Sequence, residues 1–150
     1  MLLFCFSWGK GLYTWMIIIF LKLLFHLFQY IGVLEEFGYT GKMHAMCYDN
    51  LKYYYNSDID VQLYAVVTSK TAEQLPIKFQ KIYGTVEELL ADEKVDVVDI
   101  CSPNYMHRDI LVKAVKSNKH IYCEKPLARD LIEADEVLAA MKESGYQGIS

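Results

Sequence analysis

Residues Val95–Gly145 read VDVVDICSPNYMHRDILVKAVKSNKHIYCEKPLARDLIEADEVLAAMKESG, a stretch in which each of two strand patterns is followed by a helical pattern. The runs Val95–Cys101 and His120–Cys123 are rich in β-branched, apolar and aromatic residues, as is typical of strands. Between them, segment 105–117 carries one apolar stripe at helical spacing, formed by Ile110, Leu111, Ala114 and Val115. Asn118 is a typical residue to end that helix.

The second helix of this stretch has recognisable ends. Asp130 with Glu133 three residues later is a capping box, and Gly145 is a typical helix stop. Between these ends we expect the helix to bury Ala134, Val137, Leu138 and Met141.

The same alternation extends towards the N-terminus. Val61–Val67 (VQLYAVV) predicts a further strand, and Thr85 with Glu88 predicts a short helix through Ala91. A longer helix is predicted over 41–55, with an apolar face formed by Met43, Cys47, Leu51 and Tyr54. Because strands alternate with helices, the sequence predicts an α/β domain with a parallel sheet covered by helices.

Composition and charge exclude several classes of protein. With 150 residues, 53% of them apolar and 23% charged, the chain is neither disordered nor collagen-like nor a coiled coil. A net charge of −4 gives no general attraction for nucleic acid. The four cysteines form no CxxC pair, which predicts reduced thiols, no metal site and a cytoplasmic protein.

The first residues differ from the rest of the chain. All 19 acidic residues lie between Glu35 and Glu143, and 16 of the 20 residues in 12–31 are apolar or aromatic. Three interpretations remain open: a membrane anchor through 12–31, a buried first strand with an apolar leader, or aberrant sequence, which we favour. We therefore divide the chain into a hydrophobic leader, 1–30, and a folded domain, 31–150.

Three segments follow strand patterns, where ligands bind in parallel sheets. In the first, Gly38 and Gly41 have the spacing of the last two glycines of a G-x-G-x-x-G phosphate loop. The position of the first glycine is occupied by Glu36, and its carboxylate would repel a phosphate. This segment alone fits an ordinary strand-to-helix turn equally well.

The second segment, Thr68-Ser69-Lys70, follows strand 61–67. Dinucleotide folds use an acidic residue here for the ribose 2′-hydroxyl of NAD, whereas a hydroxyl and a cation suit the 2′-phosphate of NADP. No acidic residue occurs until Glu73, which favours NADP. The alternative is a solvated turn with an incidental lysine.

The third site combines the ends of two strands. After Cys101, Pro103 turns the chain and Asn104 is the predicted N-cap of helix 105–117. After Cys123, Pro126 holds Lys125 extended, so that this lysine could hydrogen-bond a substrate oxygen beside a nicotinamide. The alternatives are an exposed lysine ahead of a helix and, for His107, a packing residue.

These residues resemble the Gfo/Idh/MocA family, the relatives of glucose–fructose oxidoreductase and inositol dehydrogenase. Its members carry D-V-V-x-I-x-(S/T)-P-N-x-x-H followed by G-K-H-V-x-x-E-K-P, and here the match runs over Val95–Gly145 with Asn118 replacing a glycine. A weaker likeness extends back to Ile31. The resemblance implies a Rossmann-type doubly wound parallel sheet that binds NAD or NADP in an oxidoreductase acting on a sugar or polyol.

The resemblance also implies which residues hold the cofactor. The pyrophosphate would lie along Gly38, Tyr39 and Thr40, and the adenosine ribose would meet Ser69 and Lys70.

On the nicotinamide side, the resemblance implies a lining formed by Ser102, Pro103, Asn104 and His107. Glu124 would lie near the nicotinamide ribose, and Lys125 would be the catalytic lysine and a cofactor contact.

Two departures from the family pattern matter. Glu35-Glu36 stands where one glycine is expected, which makes this stretch one residue longer, and the family pattern resumes with Gly41-Lys-Met-His44. Family members also continue into a second α/β domain with substrate contacts, so we expect a chain truncated before that domain and inactive alone. The rival interpretations are a non-catalytic module that binds a dinucleotide or a partner, with or without a membrane tether through 12–31, and a decayed fragment.

Overall fold

The computed structural model describes residues 29–34, 39–54 and 60–146. Strands and helices alternate through these ranges, with one 3₁₀ turn at Ala72–Gln74. The strands are β1 (Gln29–Leu34), β2 (Val61–Val67), β3 (Lys81–Tyr83), β4 (Val97–Ile100) and β5 (His120–Cys123). The helices are α1 (Tyr39–Tyr54), α2 (Val86–Ala91), α3 (Asn104–Ala114) and α4 (Leu131–Ser144).

The five strands form one parallel sheet in the order β3-β2-β1-β4-β5. The chain moves outward from β1 to β3, then returns to the other side of β1 for β4 and β5. This order is that of the Rossmann fold, and the strand order reverses between β1 and β4. The predicted doubly wound α/β sheet is therefore confirmed, and it opens a crevice at the carboxyl ends of those two strands.

The core is centred on β4, in which all four residues are buried, as expected for a parallel sheet covered on both faces. Helix α1 packs on β1 and β2, and α3 packs on β4 between α2 and α4. The apolar stripe predicted for α3 is confirmed, because all four of its residues are buried: Ile110, Leu111, Ala114 and Val115.

The buried face of α1 differs from the prediction. The structure buries Gly41, His44, Ala45, Tyr48 and Leu51, whereas Met43 and Cys47 are half-buried and Tyr54 is exposed. The buried face of the helix is thus shifted by about one residue along the sequence from the face that the apolar spacing predicts. The reason is a buried carboxylate on β4, described below, which binds polar side chains of this helix.

The face of α4 was also predicted only in part. Val137 is buried, but Leu138 is 50% exposed and Glu133 is buried instead. Glu133 lies inward because its carboxylate accepts hydrogen bonds from the backbone N–H and the guanidinium of Arg129. These bonds satisfy a charged group that would otherwise be costly to bury.

Most predicted helix ends are confirmed. Thr85 Oγ1 accepts from the Glu88 N–H at 3.3 Å and Glu88 returns a bond to the Thr85 N–H, which completes the capping box. Asp130 accepts from the Glu133 N–H at 2.9 Å, but the Glu133 carboxylate accepts from the Arg129 N–H and not from that of Asp130, so half of the predicted capping box is formed. Gly145, at φ 68°, ends α4 in the left-handed conformation that favours glycine.

The N-cap predicted for α3 is wrong by one residue. Pro103 is the cap, with φ −57° and ψ 142°, and its carbonyl accepts from the Met106 N–H at 2.9 Å. Asn104 is already the first helical residue. Proline at this place loses nothing by lacking an N–H, because the first amides of a helix have no partner within it.

The described part of the chain includes two residues before the boundary predicted at residue 31. Strand β1 begins at Gln29, so the last residues of the apolar segment 12–31 belong to the sheet, and the rest lies outside the described residues. Within the described ranges, no helix has both the length and the apolar character needed to cross a membrane. Strand β3 was not predicted, since it has only three residues, two of them exposed.

Gly32 on β1 approaches Leu89 of α2 closely, which gives a test of this packing. A Cβ at Gly32 would lie 2.9 Å from both Leu89 methyl carbons, and Leu89 is fully buried, so either the strand or the leucine would have to shift. We expect Gly32→Ala to lower the free energy of unfolding by about 1–3 kcal/mol, measured by urea denaturation.

Gly84→Ala is the matched control, because its nearest neighbour would be 3.8 Å away. It should change the free energy of unfolding by less than about 0.5 kcal/mol. Equal effects of the two substitutions would contradict the packing described here.

Candidate functional site

The described parts of the three predicted ligand segments lie at the carboxyl ends of the strands of the sheet. Beyond β2, the Thr68 N–H donates to the Tyr83 carbonyl at 3.1 Å, and beyond β5 the Glu124 N–H donates to the Ile100 carbonyl at 2.9 Å. These bonds continue the strand ladders by one residue. The backbone that leads into these two segments is therefore held by the sheet.

A cleft of about 360 Å³ opens on this edge beside the start of α1. It is lined by Tyr39, Thr40, Met43, His44, Cys47, Glu124 and Lys125. Four of these residues were predicted from the sequence, two for the pyrophosphate and two for the nicotinamide side. Gly38, predicted beside Tyr39, and the pair Glu35-Glu36 lie outside the described residues.

His44 connects the cleft to the interior of the sheet. Its Nδ1 lies 2.9 Å from Asp99 Oδ2, and its Nε2 lies 3.1 Å from Glu124 Oε1. A carboxylate only accepts hydrogen bonds, so both ring nitrogens donate and the ring is an imidazolium. Burial lowers the pKa of His44, but the Asp99 and Glu124 carboxylates outweigh it and raise the pKa to about 10.

Asp99, on β4, is fully buried and is held by several donors. Besides His44, the Tyr48 hydroxyl donates to Oδ2 at 3.1 Å and the Cys101 thiol donates to Oδ1 at 3.3 Å. Burial, followed by the nearby Asp99 charge, holds the pKa of Tyr48 well above its usual value, so this phenol remains a donor.

The same residues form a grouping with potential ligand atoms. His44, Asp99 and Cys101 each offer one such atom, and these atoms lie within 4.8 Å of one another. Each of the three already takes part in a hydrogen bond within the group. These bonds account for the close approach, and we assign no metal to it.

Glu124 and Lys125 stand where β5 ends. The Glu124 side chain is 13% exposed, and its Oε2 accepts from the Lys125 N–H at 3.3 Å while Oε1 binds His44. The Lys125 side chain is exposed and borders the cleft, and its peptide bond to Pro126 is cis. The arrangement presents an amine to the cleft beside a carboxylate whose position is fixed.

The loop after β4 lies alongside. Ser102 is buried, and its Oγ has no hydrogen-bond partner among the described residues. Pro103 and Asn104 are exposed at the start of α3. His107 is buried below them, with Nε2 2.7 Å from the Ser102 carbonyl oxygen and Nδ1 2.8 Å from that of Pro126. His107 thus links the two loops through their backbones.

Ser69 and Lys70 follow β2 on the same edge. The Lys70 N–H donates to Thr68 Oγ1 at 3.2 Å, which forms a tight turn, and Ser69 is exposed.

His44, Tyr48 and Asp99 were not predicted as part of the site. Two signals in the sequence point to them. One is an aspartate inside an otherwise apolar strand, VDVVDI, and the other is a histidine and a tyrosine four residues apart on one helix.

Comparison with known proteins agrees with this geometry. The family model GFO_IDH_MocA, described as "Oxidoreductase family, NAD-binding Rossmann fold", matches residues 37–149. The myo-inositol 2-dehydrogenase of Thermotoga maritima is 32% identical over 118 residues, which are 76% of this chain and 33% of that protein. The 1,5-anhydro-D-fructose reductase of Ensifer adhaerens is 43% identical over 65 residues, or 43% of this chain and 20% of that protein.

Solved structures show the same likeness. An NAD binding oxidoreductase from Klebsiella pneumoniae superposes with a TM-score of 0.69 at 35% identity, covering 80% of this chain and 33% of that one. Levoglucosan dehydrogenase in complex with NADH superposes with a TM-score of 0.68 at 25% identity, covering 77% of this chain and 32% of that one. The chain thus spans a third or less of the length of these relatives. Since the family model matches about three quarters of its residues, the chain belongs to the Gfo/Idh/MocA oxidoreductases, with an NAD-binding Rossmann fold.

Proposed function

We propose that this chain is the cofactor-binding part of an oxidoreductase that moves hydride between a nicotinamide and a sugar or polyol. The observation that carries the proposal is the cleft at the reversal of strand order, which brings Lys125 and Glu124 beside the first turn of α1. Two relatives support the substrate class, since one is a myo-inositol dehydrogenase and the other has been solved with levoglucosan.

The residues present fit a dinucleotide. The first turn of α1 contains Tyr39 and Thr40 and no acidic residue, so the positive end of the helix dipole suits a phosphate. Ser102 Oγ is buried without a partner in the described part of the chain, as expected for a hydroxyl that a bound ligand would satisfy. Gly38 would complete the phosphate-binding side, and Pro103, Asn104 and His107 the nicotinamide side.

A bound nicotinamide supplies the hydride acceptor or donor. In the oxidation direction, the Lys125 amine would accept the proton of the substrate hydroxyl as hydride leaves its carbon, and in reduction it would return that proton. Glu124 would bind the ribose hydroxyls beside it.

We propose NADP as the preferred cofactor, because Ser69 and Lys70 follow β2 and no acidic residue stands there. We also propose that the protein is cytoplasmic, for which the support is a sequence with four cysteines and no CxxC pair.

The cofactor preference depends on Lys70. Lys70→Ala should weaken NADPH binding about 3- to 10-fold, the loss of one charge-assisted contact, and leave NADH binding unchanged. Titration of the whole chain followed by nicotinamide fluorescence measures both affinities. Lys94→Ala is the matched control, because Lys94 precedes β4 and lies at the amino ends of the strands, away from the cleft. Equal losses for the two cofactors would contradict a 2′-phosphate contact.

Ser102 gives a separate test of the nicotinamide side. Ser102→Ala removes a buried hydroxyl without a described partner, so thermal stability should stay the same or rise, while NADH affinity falls about 3- to 10-fold. Ser117→Ala is the contrast, because Ser117 Oγ donates to the Ala114 carbonyl at 2.7 Å. That variant should lose stability and keep its affinity. A Ser102→Ala protein with unchanged affinity would exclude the contact.

We further propose that the reaction needs more residues than these 150, because the relatives are about three times as long as the part matched. Mixed with NAD or NADP and myo-inositol or levoglucosan, the chain should produce no reduced cofactor by absorbance. Turnover that disappears in Lys125→Met would contradict this requirement and support the role of the lysine. Turnover that survives in Lys125→Met would contradict both the need for further residues and the catalytic role of Lys125.

A further inference from the structure

We propose that His44 is a positioning residue for the cofactor, which acts by holding Glu124 in place at the mouth of the cleft. The inference rests on the proposed function, and it adds a residue that the motif-based assignment of the site does not contain. It depends on three contacts, which run from the buried centre of the sheet to the backbone of Lys125.

The inner contact fixes the His44 ring. Asp99 is fully buried on β4 and accepts from His44 Nδ1 at 2.9 Å. Because Tyr48 and Cys101 also donate to this carboxylate, its orientation is determined by donors from α1 and from the end of β4. The ring also packs against Tyr122 of β5, with centroids 5.6 Å apart. The His44 side chain therefore has one well-defined position.

The outer contact transfers that position to Glu124. His44 Nε2 donates to Glu124 Oε1 at 3.1 Å, and Glu124 Oε2 accepts from the Lys125 N–H. Each carboxylate oxygen keeps a second lone pair, so both remain able to accept from a ribose hydroxyl. A carboxylate fixed beforehand avoids the entropy loss of ordering a long side chain when a ligand binds.

Charge gives the second part of the argument. Among the described residues, the groups that face His44 include the carboxylates of Asp99 and Glu124, the phenols of Tyr48 and Tyr122 and the thiol of Cys101. The imidazolium is the cation that lies between the two carboxylates. It offsets the repulsion that Glu124 would exert on an anionic dinucleotide.

A double-mutant cycle on NADH affinity tests the proposal in the whole chain. Glu124→Ala should weaken binding about tenfold, and His44→Gln about five- to tenfold. In the Glu124→Ala background, His44→Gln should add less than about twofold, because its effect passes through Glu124. His120→Gln is the matched control, because His120 lies at the amino end of β5, away from the cleft. This variant should bind NADH like the wild type.

A spectroscopic readout separates positioning from a merely structural role. With ¹⁵N-labelled histidine, both ring nitrogens of His44 should carry protons at pH 8, and saturating NADH should move the Nε2 proton signal. In Glu124→Ala, saturating NADH should leave that signal in place. This comparison needs no folded His44→Gln variant, since the signal is assigned through the contact with Tyr122.

The outcomes distinguish the two proposals. A wild type that binds neither NADH nor NADPH overturns the proposed function and this inference with it. Two results overturn the positioning role alone. One is a double variant whose loss of NADH affinity equals the product of the losses of the two single variants. The other is a His44 Nε2 proton signal that NADH still moves in Glu124→Ala.

Discussion

The buried carboxylate of Asp99 is the constraint on which the site depends. It lies in the middle of the sheet with no exposure to solvent, where an unpaired charge costs several kcal/mol. Three donors offset this cost by hydrogen-bonding the carboxylate, namely the imidazolium of His44, the phenol of Tyr48 and the thiol of Cys101. Because His44 and Tyr48 are one helical turn apart, both donors fit only if that face of α1 lies against β4. The charge therefore sets the rotation of α1.

This constraint explains where prediction from the sequence succeeded and failed. Strands β2, β4 and β5 follow from short apolar runs that alternate with helices, whereas the doubly wound order was implied by the family resemblance. The helix ends follow from local signals at Thr85, Asp130 and Gly145. Those signals act within a few residues. The face of α1 could not be found in this way, because apolar periodicity places His44 and Tyr48 outside the core, whereas a partner 55 residues away draws them in.

The residues of the site also fall into two groups, those that a local motif predicts and those that depend on contacts distant in sequence. Glu124 and Lys125 could be predicted because the E-K-P motif is continuous in sequence and follows a strand. Ser102 was predicted from its motif, but its unpaired hydroxyl is visible only once the loop is seen to be buried. His44 lies 80 residues before its partner Glu124, and only the strand order, which brings β1 next to β4, places the two together.

Exposure increases along the network from Asp99 through His44 and Glu124 to Lys125. At the inner end, hydrogen bonds act in a medium of low polarity, so their loss leaves a charge unsatisfied and affects folding. At the outer end, water solvates the groups, and their loss costs little stability. Lys125 is therefore free to contact a ligand, while its place in the cleft is set by residues that the fold itself requires. A positioned group on a rigid interior would suit the hydride transfer proposed above, since small displacements at the reacting atoms cost large factors in rate.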